Sequence, residues 1–464
     1  MRSFLSRLFI LFAVIGLIAV PVLLSADAEL RRGEAALAAG RSRDAAADFE
    51  HAARILFWRV DLWERAGRAA FAGGDLEQAI RLLESSPTLS VDGWKELGEA
   101  YYQLDRFEES ANAYQRGLKI HGPSAPLYRG LALAFNAQKD LESEASALQN
   151  YVALMDTEAA AYYRLGMLLS IFDPDHALTE LKAASKLNAD YDPAVETMRS
   201  TLNLASLEKD DAHRLVVIGR GLGLVQEWPL AREAFQRAAA ADAKYAEAWA
   251  WLGEAKQHLG QGGLDELKRA ETLDPFSANI RALFGLYWKR AEEPMQALAE
   301  FQWAVIIDPQ NPAFQAALGD AYVQTSNLPP ALAAYQRATE LAPKDATYWR
   351  LLAGFCAQYT YQVAEVGVPA AQKVLMLIPE EAASYDLLGW MYLMANVPDL
   401  AEGNFLRALS LDPYFAPAHL HLGELYLQLG KMDSAREHLV QAQTLDPQGE
   451  DGALAAHLLS QYFP

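Results

Sequence analysis

Two short stretches of this 464-residue chain carry residue types that could do chemistry, and the first is "HLHLGE" near the C-terminus. Its His419, His421 and Glu424 offer imidazole and carboxylate groups, which zinc accepts as ligands. If the stretch is helical, His421 and Glu424 stand at i and i+3 on one face, whereas His419 lies on another side. A zinc site needs further convergent ligands, so the sequence predicts no metal site here.

The second stretch, "GRGLG" at residues 219–223, resembles the start of a phosphate-binding glycine loop. Such a loop needs a preceding strand and a further glycine at a fixed step, and the sequence predicts neither. Cys356 is the only cysteine, which excludes an internal disulfide, and we predict it to be a small buried side chain. No metalloprotease, serine-hydrolase or P-loop motif occurs in the sequence. We therefore predict no catalytic site and no cofactor.

The charge balance limits the class of partner. The chain carries 40 basic and 60 acidic side chains, a formal net charge of −20. A protein that docks on phosphates needs a basic face to release counterions, so the composition argues against nucleic acid. Leu, Ala and Glu are abundant and no segment lacks apolar residues, which argues against an intrinsically disordered chain.

The N-terminal segment, residues 1–26, has the pattern of a membrane anchor. Nineteen residues without a charge lie between Arg7 and Asp27, and as a helix they would span roughly 28 Å of a hydrocarbon core about 30 Å thick. The basic stub before the run favours an N-terminus inside the cytoplasm and the remaining chain outside it. A signal peptide cleaved near Ala26-x-Ala28, which would give a secreted protein, is the alternative. A buried core helix is a third interpretation.

The elements that would have to position any site are specified by a repeat. Residues 94–101 read "WKELGEAY", a W-x-x-L-G-x-x-Y pattern that recurs downstream, and Asp412-Pro413 and Asp446-Pro447 lie 34 residues apart. The same small residue, Gly or Ala, marks twelve units in register: Gly33, Gly67, Gly98, Ala132, Gly166, Gly219, Gly253, Gly285, Gly319, Ala353, Gly389 and Gly423. This pattern strongly resembles the tetratricopeptide repeat family, whose unit is a helix-turn-helix of 34 residues.

Each spacing has a physical reason. Trp94, Leu97, Gly98 and Tyr101 stand at i, i+3, i+4 and i+7, which is one face of a helix. A small residue at Gly98 lets the second helix of the unit approach closely. One helix pair cannot bury both of its faces, so neighbouring pairs stack. The resemblance therefore implies an all-α, right-handed superhelical solenoid of about twelve units.

Irregular steps predict the domain organisation. The 53-residue step from Gly166 to Gly219 leaves room for one extra helix near residues 192–210, and a hinge within 191–211 is one interpretation of it. A 36-residue step coincides with residues 358–367, where we expect a longer turn between helices. The predicted order is then an anchor (1–26), an array of about five units (27–190), the inserted helix, an array of about seven units (212–447) and a capping helix (448–464).

The resemblance implies a function, because members of the family are mostly non-enzymatic scaffolds that hold a peptide or partner protein in a concave groove. We expect a membrane-tethered adaptor with its groove outside the cytoplasm. The alternative is a non-catalytic recruiting or regulatory subunit of an envelope enzyme or of a secretion or polysaccharide machine. No residues remain outside the repeats to form a catalytic domain, so an enzyme is not expected. The sequence leaves the oligomeric state open.

The resemblance also implies which positions line the groove. In the family, the second, fifth, ninth and twelfth positions of each first helix face it, which predicts partner contacts at Tyr163, Met167, Arg220, Glu254, Lys289, Asp320, Arg350 and Trp390. The family's Lys-Asn clamp for a terminal carboxylate is absent, since only Lys95 matches and its partner position is Glu99. Trp390 and Tyr163 are the candidate aromatic contacts, with packing inside the array as the alternative for Trp390.

Overall fold

The computed structural model describes the backbone of residues 2–464 and the side chains of residues 20–464, and over this range the regular structure is helical. The first thirteen helices are α1 (Arg2–Ala38), α2 (Ser42–Ile55), α3 (Asp61–Ala72), α4 (Leu76–Glu84), α5 (Val91–Gln103), α6 (Phe107–His121), α7 (Ala125–Gln138), α8 (Leu141–Val152), α9 (Ala159–Phe172), α10 (Pro174–Leu187), α11 (Asp192–Ala205), α12 (Asp211–Leu224) and α13 (Trp228–Ala241). The others are α14 (Ala246–His258), α15 (Leu264–Leu273), α16 (Ala278–Arg290), α17 (Pro294–Ile307), α18 (Pro312–Gln324), α19 (Leu328–Leu341), α20 (Ala346–Gln358), α21 (Val368–Leu377), α22 (Ala382–Met394), α23 (Pro398–Leu411), α24 (Ala416–Gln428), α25 (Met432–Leu445) and α26 (Glu450–Tyr462).

The helices form two compact units, Met1–Arg237 and Ala238–Pro464. Consecutive helices pack against each other from α1 to α12 in the first unit and from α14 to α26 in the second. The first helices of neighbouring pairs also touch, as α3 does α5 in the first unit and α20 does α22 in the second. In each compact unit the first helices of successive repeats therefore form a layer, and this layer positions the candidate site.

The small Gly or Ala of each repeat lets the two helices of that repeat approach closely, as the sequence predicts. At Gly389 in α22, a methyl group would lie 2.6 Å from the ring of Phe405 in α23, which is fully buried. The same relation joins Gly33 to Phe49, Gly219 to Phe235 and Gly285 to Phe301, and these four phenylalanines are among the largest fully buried side chains. Burying one such side chain stabilises the fold by roughly 2 kcal/mol, so the glycine positions are structural.

Most turns inside the pairs contain a residue in the left-handed region of backbone space, although the turn between α9 and α10 does not, since Asp173 has φ of −151°. The left-handed residue is Gly at some turns, such as Gly74 with φ of 76° and Gly430 with φ of 68°, and a polar residue at others, such as Asp105 and Asn396, both with φ of 58°. A residue in this conformation after the last helical turn lets the backbone N–H groups bond back to the free carbonyls. The helices consequently end at fixed positions, which keeps the repeat in register.

The predicted repeat architecture is confirmed. The helices form twelve pairs around the twelve marked residues, the extra helix is α11, and the capping helix is α26. The expected longer turn at 358–367 needs a correction, because a π-helix, Val363–Gly367, fills its second half. A π-helix is a wider turn that accommodates surplus residues, and buried Val363 ties it to the core. Whether residues 191–211 act as a hinge stays a prediction, as does the rest of the domain division.

Helix α1 joins the predicted membrane anchor to the first repeat without a break. Its C-terminal part packs against α2, with Ala26 fully buried and a 2.6 Å contact between His51 Nδ1 and Glu29 Oε2. Most of residues 1–26 lie outside the described side chains, since these begin at residue 20. No helix in the described part of the chain is long and apolar enough to cross a membrane.

Candidate functional site

The second unit contains an open groove of about 860 Å³, which we call the C-terminal groove. Its lining comes mainly from first helices, α16, α18, α20 and α22, with Glu450 contributed by the capping helix α26. The groove brings together four of the eight residues that the sequence predicted as partner contacts: Lys289, Asp320, Arg350 and Trp390.

The charged groups at one end of the C-terminal groove are already paired. The Lys289 Nζ lies 3.1 Å from Asp320 Oδ2, and the Tyr335 hydroxyl donates a 2.6 Å hydrogen bond to the other oxygen of Asp320. Burial, together with this carboxylate, raises the pKa of Tyr335, so the hydroxyl stays protonated and remains a donor. Arg350 forms an ion pair with Glu381. These contacts leave little unpaired positive charge in the groove.

The middle of the C-terminal groove is apolar and unobstructed. The ring of Phe355 packs against Tyr335 and Tyr359, with centroids 5.2 and 5.5 Å apart. Leu351, one helical turn away, is 40% exposed. Gly354 lies between them in α20, and a methyl group built there would meet nothing within 4 Å. An apolar side chain of a partner therefore has room at Gly354.

Trp390 lines the groove while its ring is held from the protein side. His421 of α24 stacks on it with ring centroids 5.3 Å apart, and Phe405 stacks on the same imidazole at 5.5 Å. His421 Nδ1 lies 2.8 Å from Asp386 Oδ1, and both residues are nearly buried. Burial by itself would lower the pKa of His421, but the Asp386 carboxylate overrides it and raises the pKa. The pair therefore links α22 to α24 through this 2.8 Å contact.

The other four predicted contacts are not part of this groove. Tyr163 belongs to the first unit and stacks on Tyr191 with ring centroids 4.4 Å apart, and Arg220 is an exposed residue of α12. Met167 is fully buried, so its side chain is a core residue and is not available to a ligand in this structure. Glu254 is 4% exposed and accepts a 2.8 Å hydrogen bond from Arg290, which ties α14 to α16.

Several groove residues were not predicted from the sequence. The position rule covers four sites on each first helix, and it passes over Leu351, Phe355 and Tyr359. Glu450 lies in the capping helix, where the repeat register does not apply. Gly354 follows the marked residue Ala353 and so holds the ninth position, which the rule covers, and it offered a second signal because glycine in the middle of a helix costs about 1 kcal/mol relative to alanine unless packing or binding requires it.

The first unit has a groove of its own, of about 640 Å³, between α5, α7 and α8. Tyr102, Leu133 and Tyr151 give it an apolar lining. Its cations have acidic neighbours, with Lys95 at 3.9 Å from Glu99 and Arg129 at 3.7 Å from Glu158. None of the eight predicted partner contacts lines this groove.

The cysteine and histidines that the sequence suggested for chemistry have the following surroundings in the structure. Cys356 is fully buried, and burial raises its pKa to about 11, so the thiol is protonated at neutral pH. The Nδ1 atoms of His419 and His438 lie 2.9 Å apart. Among the side chains of residues 20–464, no group of three or more His, Cys, Asp or Glu is arranged to hold a metal ion.

Comparisons with known proteins match the repeats. Two tetratricopeptide repeat family models match, one at residues 95–162 and the other at 290–354 and 392–462. Solved structures with similar folds include the Cut9–Hcn1 hetero-tetramer of the APC/C, with 15% identity over 95% of this chain and 96% of that one and a TM-score of 0.39. Yeast Tom70 has 14% identity over 94% and 95% of the two chains, with a TM-score of 0.39.

PilF of Pseudomonas aeruginosa has 17% identity over 47% of this chain and 98% of its own, with a TM-score of 0.37. No curated protein sequence matches the chain. The family models match where the structure forms helix pairs around Gly98, Gly319 and Gly423, the residues that define the repeat. The chain therefore contains tetratricopeptide repeats, within residues 95–162, 290–354 and 392–462.

Proposed function

We propose that the chain is a non-enzymatic scaffold that binds a peptide or a segment of a partner protein in the C-terminal groove. The observation that carries the proposal is the convergence of Lys289, Asp320, Arg350 and Trp390 on one open groove. Residues that come from successive repeats share no local sequence constraint, so their meeting along one groove fits a ligand that runs across several helices. An extended peptide or a single helix has that shape.

The chemistry of the groove favours recognition over catalysis. Its apolar middle at Leu351 and Phe355 lies between paired charges on one side and Trp390 on the other. Apolar and aromatic contacts supply most of the binding energy at protein interfaces, and polar groups at the rim fix the register of the ligand. The same arrangement offers no activated nucleophile.

We further propose that the segment of residues 1–26 tethers the scaffold to a membrane, with the repeats outside the cytoplasm. Four apolar residues at the start of the described side chains are exposed: Val20 at 53%, Val22 at 45%, Leu23 at 39% and Leu24 at 65%. They continue the uncharged run that begins after Arg7, and exposed side chains of this kind are stable in lipid. Cleavage near Ala28, with release of the repeats, is the alternative outcome.

Gly354 provides the test of the groove. Gly354→Phe places a ring in the open space of α20 and blocks the groove with little effect on packing, because nothing lies within 4 Å. The matched control is Gly403→Phe in α23, where a methyl group also meets nothing within 4 Å. The readout is cross-linking in the native cells from a photoreactive phenylalanine analogue at Gln358, with Gln443 on α25 as the control position.

We expect partner cross-links from Gln358 that Gly354→Phe removes and Gly403→Phe retains. Cross-links of equal yield from Gln358 and Gln443, or cross-links that survive Gly354→Phe, would contradict binding in the C-terminal groove. Recovery of a single stoichiometric envelope enzyme would assign the scaffold to recruitment or regulation of that enzyme.

A further inference from the structure

The Trp390 end of the C-terminal groove is acidic. Glu450, the first residue of α26, lines the groove with Trp390. Asp451 follows it, and Glu424 in α24 interacts electrostatically with both Asp451 and His421, which stacks on Trp390. We call Glu424, Glu450 and Asp451 the acidic end. From residue 351 to the C-terminus the chain has thirteen acidic and four basic side chains, so the local charge has the same sign.

No lysine or arginine with a described side chain neutralises the acidic end. Of the residues with described side chains, no Lys or Arg forms an ion pair with Glu424, Glu450 or Asp451. The two cationic side chains of the groove already form ion pairs, Lys289 with Asp320 and Arg350 with Glu381. Other paired carboxylates of this unit, such as Asp320, also have a hydrogen-bond donor within 3.1 Å. The described carboxylates of the acidic end therefore differ from Asp320 of the same groove, because they have no Lys or Arg partner.

Burial makes the ionised forms of Glu424 and Asp451 energetically costly. Burial raises the pKa of Glu424 and of Asp451, and the neighbouring Asp386 raises both further. His421 acts in the opposite direction on both carboxylates, but it also lies 2.8 Å from Asp386. A cation that arrives beside these carboxylates regains part of the free energy that burial costs their ionised forms.

The surroundings select an organic cation over a metal ion. No set of three or more acidic, His or Cys side chains among the described residues is arranged to bind a metal. Trp390 supplies an aromatic surface at the same end, and guanidinium and ammonium groups bind carboxylates and aromatic rings together. Lys and Arg side chains of a partner combine such a group with an apolar stem that suits the middle of the groove.

We infer that the C-terminal groove binds a basic segment of a partner protein, with a Lys or Arg side chain held at Trp390 by the acidic end. This inference rests on the proposed function and adds the charge of the ligand to it. The partner segment would run from the paired charges at Lys289 and Asp320, over Gly354, to Glu450.

The test uses fluorescein-labelled octa-arginine and octa-citrulline, which differ in charge and hardly in shape, with the detergent-solubilised full-length chain. Two double variants each remove two negative charges. The groove pair is Glu450→Gln with Asp451→Asn. The α25 pair is Asp433→Asn with Glu437→Gln, and both of these residues are exposed. We expect the groove pair to weaken octa-arginine binding about tenfold, or about 1.4 kcal/mol for the loss of two partly exposed ion pairs. The α25 pair should weaken binding less than about twofold, because its charges act only over distance.

Three results would overturn the inference: equal weakening by the two double variants, equal affinity for octa-citrulline, or octa-arginine binding that survives Gly354→Phe. If the groove pair lowers the melting temperature, Glu450→Gln alone replaces it, since this exposed side chain has no ion pair to lose in the described structure. Cross-links from Gln358 separate this inference from the proposed function. Groove-dependent cross-links to neutral or acidic segments refute only the basic ligand, whereas absence of groove-dependent cross-links refutes groove binding itself.

Discussion

The imidazole of His421 lies against the indole of Trp390, with ring centroids 5.3 Å apart and an angle of 13° between the ring planes. The sequence left two roles open for Trp390, a contact for ligands or a packed residue of the array. The contacts give it a packing role, since it touches the core on both sides of α22. Its place in the groove lining keeps the ligand role open as well.

Trp390→Ala should therefore lower stability as well as binding. Removing a large aromatic side chain from a packed site costs about 3 kcal/mol, and His421 loses the ring on which it stacks. Trp390→Phe keeps part of the packing and should recover most of the melting temperature. Thermal unfolding followed by circular dichroism would measure both variants, and an unchanged melting temperature for Trp390→Ala would contradict the packing role.

The His421–Asp386 pair should make the stability of α22 and α24 depend on pH. Because Asp386 raises the pKa of His421 in the folded chain, the contribution is complete below about pH 6.5, the ordinary value of histidine. It is lost as pH rises from there through the raised pKa. Glu424 and Asp451, which face His421 from α24 and α26, also have raised pKa values and reduce stability in the same direction. Hydrogen exchange of α22 and α24 should therefore become faster above pH 6.5 after correction for the intrinsic rate.

Two variants separate this effect from a general one. Asp386→Asn leaves a nearly buried histidine without its carboxylate, so we expect a loss of about 3 kcal/mol at pH 6 and a smaller further loss at higher pH, which comes from Glu424 and Asp451. His457→Gln, which removes an exposed histidine of α26, should keep the original pH dependence. Because Glu424 and Asp451 act in the same direction, a pH dependence of undiminished size in Asp386→Asn would exclude this pair as its cause.

The repeat fold could be predicted from the sequence because its constraints are local and recur. A glycine that must admit the ring of Phe405 cannot be replaced by a larger residue without displacing a helix, so the small residue persists at Gly389 and at its equivalents. The surplus residues before Gly219 and after Pro447 were likewise long enough to indicate α11 and α26. The π-helix at 363–367 escaped prediction, since two extra residues in a repeat indicate an insertion without specifying its conformation.

The candidate site could be predicted only in part, because exposure depends on neighbours that the repeat pattern does not describe. Met167 has the position of a groove residue but is fully buried. Glu254 has one too, yet Arg290 from the next first helix binds it. The ion pairs that neutralise Lys289 and Arg350 join different repeats, and no short spacing in the sequence indicates them.

A pair of glycines measures the packing argument directly. Gly389→Ala places a methyl group 2.6 Å from the ring of the fully buried Phe405, and overpacking of this kind costs roughly 1 to 3 kcal/mol. Gly403→Ala meets nothing within 4 Å and should stabilise its helix by up to about 1 kcal/mol through helix propensity. The melting temperatures of the two variants should therefore move in opposite directions. A shift of the same sign for both would mean that backbone propensity, and not the contact with Phe405, decides the effect.

Deletion of residues 1–24 tests the tether while it preserves the first repeat. The deletion keeps Ala26, which is fully buried, and Glu29, which contacts His51, so the packing of α1 on α2 is retained. It removes Arg2 and Arg7 but no acidic residue, which leaves 38 basic and 60 acidic side chains and a net charge of −22. Because this charge favours solubility and the exposed apolar residues are gone, the truncated chain should leave the membrane fraction and keep its helical circular dichroism.

A longer deletion is the matched control for folding. Removal of residues 1–38 takes away the whole of α1, which exposes the fully buried Phe49 of α2, and it should lower the melting temperature. The shorter deletion should leave the melting temperature unchanged within about 1 °C, since the removed residues whose side chains are described, 20–24, are all exposed. Fractionation of cells that express each form then measures the tether separately from folding. If the chain without residues 1–24 stayed with the membrane, the tether would have to lie elsewhere in the repeats.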